Sequence, residues 1–212
     1  AAFMMVKILK KIFLLCMPKR VFLVNESRDE KKIYLTFDDG PTPDITEELL
    51  ELLAEYDAKA TFFVIGEHLN LSMGIGNLLV NAGHSIGNHS LNHKKFGTLT
   101  LEQQLCQADG AANVINRLPT RQRKLFRTPQ GSWSVSLIVR LLIKGYQCIH
   151  WSYDSMDYSE ETVDQIINRF MSQPIKGGDI VLFHDDSYKC ISVLKALLPI
   201  WKDQGYTFER ID

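Results

Sequence analysis

His89-Ser90-Leu91-Asn92-His93 sets two imidazoles four residues apart. At that spacing both can point the same way and bind one divalent cation, leaving other positions to a carboxylate and water. Alone, an HxxxH pair is only moderately specific, and most histidines so spaced are not ligands. A carboxylate is needed to complete the set, and Asp38-Asp39 offers two at the end of the apolar run Ile33 to Phe37. Adjacent aspartates there are costly to bury as mere structure, because two ionised carboxylates repel and lose solvation. The plainer reading of an isolated Asp-Asp-Gly-Pro is a solvated turn with an Asp helix cap. Taken with HxxxH and with His184 at the end of Leu182-Phe183-His184, the chemical reading outweighs it. Neighbouring side chains on a strand diverge, so one Asp can bind metal while the other faces the attacking water. Metal-assisted hydrolysis requires that division of labour.

Such residues need elements to bring them together. Strands are expected at Ile33 to Phe37, Ala60 to Ile65, a short run after Gly83 leading into Asn88-His89, Leu125-Phe126, Gln147 to Trp151, Ile180 to Phe183 and Tyr206 to Glu209. Between them lie helical patterns. Pro43, Asp44 and Glu47-Glu48 open the first, with Ile45, Leu49, Leu52 and Leu53 on one face and acids suited to the helix dipole. A weaker helix, Glu67 to Asn81, is interrupted by Gly74 and Gly76; further helices are expected from about Leu101 to Arg117, Val135 to Ile143, Glu161 to Met171 and Val193 to Lys202. The alternation argues for a parallel sheet with helices outside, either a barrel or doubly wound. Asp38-Asp39, His89, Arg127, Asp157 and His184 fall at or just after the C-terminal ends of successive strands. A closed barrel brings those ends to one mouth, whereas an open sheet would spread the outermost apart. The expectation is therefore a single-domain α/β barrel.

The 212 residues suffice for one sizeable core. Hydrophobic residues at 45% and charged residues at 23% are ordinary for a globular domain. A formal net charge of -1 makes nucleic acid a poor partner. One basic patch stands out in residues 1–30: Lys7, Lys10, Lys11, Lys19 and Arg20, beside Ile8, Leu9, Ile12, Phe13 and Cys16 at helical spacing, with Pro18 limiting the helix. Ala1 to Met5 reads partly as a remnant ahead of a natural start. The apolar run Ile12 to Met17 is short of the ~20 residues that span a bilayer and short for a signal-peptide core, and no small-x-small cleavage site follows. A helix capping the domain and a basic amphipathic helix on a membrane surface are the two readings, with residues 31–212 as the catalytic domain. Cys16, Cys106, Cys148 and Cys190 form no CxxC pair, so they read as buried or free thiols rather than disulfides, and the compartment stays open.

Five segments resemble, in order, the motifs of the polysaccharide deacetylases, the NodB-homology family four of carbohydrate esterases. They are Thr36-Phe37-Asp38-Asp39-Gly40-Pro41, His89-Ser90-Leu91-Asn92-His93, Arg127-Thr128-Pro129-Gln130-Gly131, Asp157-Tyr158 and Leu182-Phe183-His184. The resemblance runs from about Ile33 to Phe208. It implies a distorted (β/α) barrel, commonly of seven parallel strands, and a divalent metal, zinc first with cobalt or nickel as alternatives. It also implies Asp39, His89 and His93 as metal ligands, Asp38 as general base, and Arg127 as the residue that orients and charge-pairs that base. His184 matches the general acid that protonates the leaving amine, Asp157 the carboxylate that keeps it charged, and Leu182 a wall of the acetyl pocket. The implied reaction is attack of metal-bound water on an acetyl carbonyl, releasing acetate from N-acetylated glycans such as chitin oligomers or peptidoglycan. The metal and a backbone N–H would stabilise the oxyanion.

Two positions depart from the family. Gln130 stands where an aromatic is usual and Tyr158 where Trp is usual; both touch the substrate groove, so altered sugar selectivity is expected rather than lost catalysis. Trp133 is a candidate replacement stacking surface, with core packing as its alternative. His84 reads as a satisfied structural histidine, His68 as a surface residue and His150 as a strand residue. Asp154 reads as a turn cap or support for Asp157, and Asp185-Asp186 as caps of the following segment. The competing functions are an O-acetyl esterase on a polysaccharide such as xylan and a catalytically silent sugar-binding module. Substrate logic favours a periplasmic or surface-facing location.

Overall fold

The computed structural model describes residues 22–23, 31–120 and 122–212. The basic amphipathic segment therefore lies outside the described residues, apart from Phe22–Leu23. Among the described residues no helix is long and apolar enough to cross a membrane. Cys106, Cys148 and Cys190 are free thiols, the last two buried.

Among the described residues, nine parallel strands form one sheet: β1 (Phe22–Leu23), β2 (Lys32–Asp38), β3 (Ala60–Val64), β4 (Ser85–Asn88), β5 (Leu125–Phe126), β6 (Gln147–Ile149), β7 (Tyr153–Asp154), β8 (Ile180–His184) and β9 (Thr207–Phe208). Their order is β1-β6-β5-β4-β3-β2-β8-β7, and β9 pairs with the start of β2. The seven strands β2 to β8 make the curled wall of a distorted, incompletely closed barrel. Two-residue β1 and β9 extend it at an edge and at the foot of β2.

Strand β2 shows why the wall has two different faces. Side chains alternate along a strand. Ile33, Leu35 and Phe37 are fully buried and pack outward with Leu49 and Leu53 of α1 (Ile45–Glu55) and Leu194 and Leu197 of α7 (Tyr188–Asp203). Each such leucine contributes about 1.5–3 kcal/mol of burial free energy. Tyr34, Thr36 and Asp38 have the other parity and face the barrel interior. There the Thr36 hydroxyl donates to the Val181 carbonyl (2.8 Å) and accepts from Arg127 (2.8 Å). The apolar face thus holds the wall to its helices while the polar face is free to build a site.

The remaining helices are α2 (Gly66–Leu71), α3 (Met73–Asn81), α4 (Leu101–Ile115), α5 (Val135–Ile143) and α6 (Val163–Ser172). Local signals start several of them. Thr100 with Gln103 and Thr162 with Gln165 form reciprocal capping boxes, and the Ser134 hydroxyl accepts from the Leu137 amide. The single helix expected over Glu67 to Asn81 is two, and the break falls at Ser72 rather than at either glycine. Helix α7 begins five residues earlier than the expected Val193, at Tyr188, and the two-residue strand β7 is additional to the expected set.

Candidate active site

Strand ends converge as the barrel reading requires. In the β2–β8 register Asp38 lies opposite His184, so a carboxylate and an imidazole meet across neighbouring parallel strands. Asp38 is almost fully buried, and its Oδ1 accepts a 2.8 Å bond from Arg127 Nη1. Burial would push the Asp38 carboxyl up, but Arg127, His89 and His184 outweigh it and hold the group below its ordinary value. Arg127, fully buried, also donates to Thr36 and to the His150 carbonyl (3.2 Å), and its guanidinium sits 4.2 Å from the Phe63 ring centre.

The chain turns sharply after Asp38. Asp39 has φ 78, and its Oδ1 lies 3.4 Å from Nε2 of both His89 and His93. The ligand atoms of these three residues all fall within 4.8 Å of one another. Asp39 Oδ1 is buried and has no hydrogen-bond partner, a costly state for a carboxylate oxygen unless a cation meets it. The His89 Nδ1–H donates to the Arg127 carbonyl (2.8 Å), which leaves Nε2 with its lone pair toward Asp39. Burial, despite the nearby carboxylates, also lowers the pKa of His89 and favours the neutral ring a metal needs. One carboxylate and two imidazoles suit zinc. These residues fit the implied group.

The HxxxH pair reaches this geometry without a helix. The Ser90 amide donates to Asn88 Oδ1 (2.9 Å) and the His93 amide to Ser90 Oγ (3.1 Å), while Ser90 and His93 take φ of 74 and 51. The folded turn, not helical periodicity, superposes the two imidazoles.

His184 and Asp157 form the second half. Asp157 is buried and uses both oxygens on one residue, accepting from His184 Nδ1 and from its backbone amide, each at 2.8 Å. Burial disfavours the imidazolium, yet the bond and charge of Asp157, helped by Asp38 and Asp39, raise His184 to about 9. The ring is therefore charged at neutral pH, with Nε2 left to act as a proton donor.

A cavity of about 380 Å³ joins the two halves, lined by Asp38, Asp39, His89, His93, Gln130, Trp151, Asp154, Tyr158, Leu182 and His184. Its size suits one or two small rings rather than a long buried ligand.

The polysaccharide deacetylase family model matches residues 25–149. The chain is 34% identical over 188 residues to a peptidoglycan-N-acetylglucosamine deacetylase of Bacillus cereus, covering 86% of this chain and 87% of that protein. It is 31% identical over 195 residues to a chitooligosaccharide deacetylase of Sinorhizobium fredii, covering 84% and 89%. The chain belongs to the polysaccharide deacetylase family. Among solved structures, the Bc1960 peptidoglycan N-acetylglucosamine deacetylase superposes with TM-score 0.84 at 25% identity, over 91% of this chain and 92% of that one. BA3943 of Bacillus anthracis, described as a CE4 family pseudoenzyme, gives TM-score 0.83 at 25% identity over 92% and 68%. Deacetylases and a pseudoenzyme share this fold, so the fold alone does not make an active enzyme and the side chains at the site decide.

Set in the deacetylase fold, the groove positions sort clearly. Leu182, Gln130 and Tyr158 line the cavity, Tyr158 more than half exposed and edge-on to His184 (5.2 Å between ring centres). Trp133 does not line it. It is 3% exposed and packs edge-on to Phe126 within a cluster that includes Leu137 and Tyr146, so the core alternative holds and the stacking role does not. Trp151 supplies the indole instead. It lies beneath Gly131, where a Cβ would come within 2.9 Å of its ring. Gln130, exposed at φ 56, borders the same wall.

Other expectations divide likewise. His84 is structural: its Nδ1 accepts from the Ala60 amide (3.1 Å), and burial, with Lys59 and Arg210 nearby, lowers it to about 4. Asp154 caps a turn through the Met156 amide (2.9 Å) yet also lines the cavity. Asp185 is not a helix cap, since Ser187 holds that position. Its buried carboxylate accepts from the Thr46 hydroxyl (2.7 Å) and packs on Gly40, where a Cβ would stand 2.0 Å from Oδ2. Gly40 thus admits the side chain that props the Asp38-Asp39 turn. His68 is exposed as expected, but its Nδ1–H donates to the Asp39 carbonyl (2.7 Å).

Proposed function

We propose that this chain removes acetyl groups from N-acetylated glycans of the chitin-oligomer or peptidoglycan type. One observation carries the reading: a buried carboxylate oxygen without a hydrogen-bond partner faces two imidazoles, beside a separate acid–base pair, in one cavity. Asp39, His89 and His93 would hold the divalent ion, zinc first. Such an ion, when bound, polarises the acetyl carbonyl and makes water a better nucleophile near neutral pH.

The chain's own residues do the rest. Asp38, kept ionised by Arg127, takes the proton from the attacking water. His184, kept protonated by Asp157, gives one to the departing sugar nitrogen. Asp38 held ionised and His184 held protonated are the opposite protonation states that a base and an acid require, which supports this division of roles. Leu182 and Trp151 form the apolar wall against which an acetyl methyl and a sugar ring would rest. The relatives named for chitooligosaccharide and peptidoglycan support a GlcNAc-containing substrate.

The test is product mapping by mass spectrometry on chitin oligomers, peptidoglycan fragments and acetylated xylan with zinc-loaded protein. A mass loss of about 42 Da per N-acetyl group, an acetyl replaced by hydrogen with acetate released, on the first two supports the reading. Acetate from xylan alone would convert it to an O-acetyl esterase, and none from any substrate to a silent sugar-binding protein.

A further inference from the structure

The turn between β3 and α2 touches both ligand-bearing segments at once. The Ile65 amide donates to the Gly40 carbonyl (3.0 Å), the Gly66 amide to Ser90 (3.0 Å) and the Glu67 amide to Leu91 (2.9 Å), while Val64 accepts from the His89 amide (3.0 Å). Two side chains add to this main-chain frame. Asn92 Nδ2 donates to Glu67 Oε1 (3.3 Å), and His68 Nδ1–H donates to the Asp39 carbonyl (2.7 Å). Gly66 lets the turn sit against α4, since a Cβ there would come within 2.8 Å of Ala111 Cα.

Asp39 is where this frame matters most. A non-glycine residue at φ 78 costs about 1–3 kcal/mol and persists only where its surroundings hold it. If the peptide after Asp39 rotated back toward the extended form, its Cβ would swing with it and carry Oδ1 away from the two imidazoles. The hydrogen bond from His68 grips the carbonyl of that very residue. His68 itself is exposed and does not line the cavity. It touches neither a reacting group nor the position of the substrate.

We propose that His68 is a positioning residue for the metal ligand Asp39, holding the left-handed turn that aims its carboxylate at His89 and His93. The proposal rests on the metal-site reading above. Removing the outer partner of a metal ligand typically weakens metal binding by about 10–100-fold. Here the bond reaches the ligand through its backbone, so the lower end, about tenfold, is expected.

The experiment is zinc affinity by chelator competition on wild type, His68→Ala, His68→Asn and Asp39→Asn, with melting curves of each metal-free protein. Asn places an amide N–H where Nδ1 stood. His68→Ala should bind zinc about tenfold more weakly with an unchanged melting temperature, and His68→Asn should recover most of the loss. At saturating zinc, KM should match wild type. Zinc bound equally tightly by His68→Ala overturns the proposal, as does a loss that His68→Asn shares in full. Wild type that binds no zinc, or Asp39→Asn that binds it as tightly as wild type, would instead sink the metal-site reading itself.

Discussion

Arg127 Nη1 and Asp38 Oδ1 form a 2.8 Å ion pair whose side chains are 0% and 4% exposed. Few arrangements are so costly to half-dismantle. Removing one partner from a buried pair leaves an uncompensated charge, at about 3–5 kcal/mol. Arg127→Met is therefore predicted to lower stability by about that amount. It also removes the group that holds Asp38 down, so the Asp38 pKa rises and the base is protonated over more of the pH range. Activity should therefore fall more on the acid side of the profile than on the alkaline side, because the acid limb moves up. A kcat/KM–pH profile whose acid limb stays in place would contradict the assignment. Asp38→Asn should lose about 10²–10⁴ in kcat while zinc affinity changes little, because Asp39 and the imidazoles remain.

The His184–Asp157 pair predicts the alkaline limb. His184 titrates at about 9 against an ordinary 6.5, so the acid is lost as pH rises through the higher value. Asp157→Asn removes the principal opposing charge, and the alkaline limb should move down toward the ordinary histidine range. The same shift carries a stability sign. A raised histidine contributes stability that is complete below its unfolded pKa and disappears as pH rises through about 9. Wild type should therefore lose stability between neutral pH and that value, and Asp157→Asn should lose less over the same interval. Equal slopes in both proteins would remove Asp157 as the cause.

What sequence reasoning reached, and what it missed, follows from the range of the interactions. Strands β2, β4 and β8 are local patterns, and Asp38-Asp39, His89 with His93, and His184 sit at or just past their respective C-terminal ends. Trp133 and Trp151 are different. Which indole faces the groove depends on the register between β5 and β6 and on the Gly131 turn, neither of which is written in the residues near either Trp. Asp185 looked like a cap because polar residues before a helix usually are. Its burial depends on the space left by Gly40, some 145 residues away in sequence and adjacent only through the β2–β8 pairing. His68 gave no periodic signal, since its partner is a carbonyl exposed by the positive φ of Asp39. The start of helix α7 carries the polar Lys189 and Ser192, which weaken its pattern, although Cys190, Ile191, Leu194 and Leu198 keep helical spacing and are buried.

The Asp39, His89 and His93 cluster predicts that chelation removes activity and that added zinc or cobalt restores it. Metal should also protect the fold, because an ion that binds only the native state at a hundred times its Kd adds about 2.7 kcal/mol. His93→Ala should lose both the protection and the activity while leaving the metal-free melting temperature close to wild type, since His93 is partly exposed. Full turnover in protein shown by elemental analysis to be metal-free would eliminate the metal mechanism.

The two indoles give the sharpest separation of packing from recognition. Trp133 is 3% exposed among Phe126, Leu137 and Tyr146, so Trp133→Ala should cost about 3–5 kcal/mol of stability. Any loss of turnover should then follow the unfolded fraction and disappear under stabilising conditions. Trp151 lies on the cavity wall, its ring 4.0 Å from that of His150. Trp151→Ala should leave most of the stability intact and raise KM for a chitin oligomer by about 5–30-fold, the equivalent of about 1–2 kcal/mol. Trp151→Phe should recover part of that affinity because an aromatic face remains. A Trp151→Ala protein with unchanged KM, or a Trp133→Ala protein with normal stability and a raised KM, would reverse which tryptophan meets the sugar.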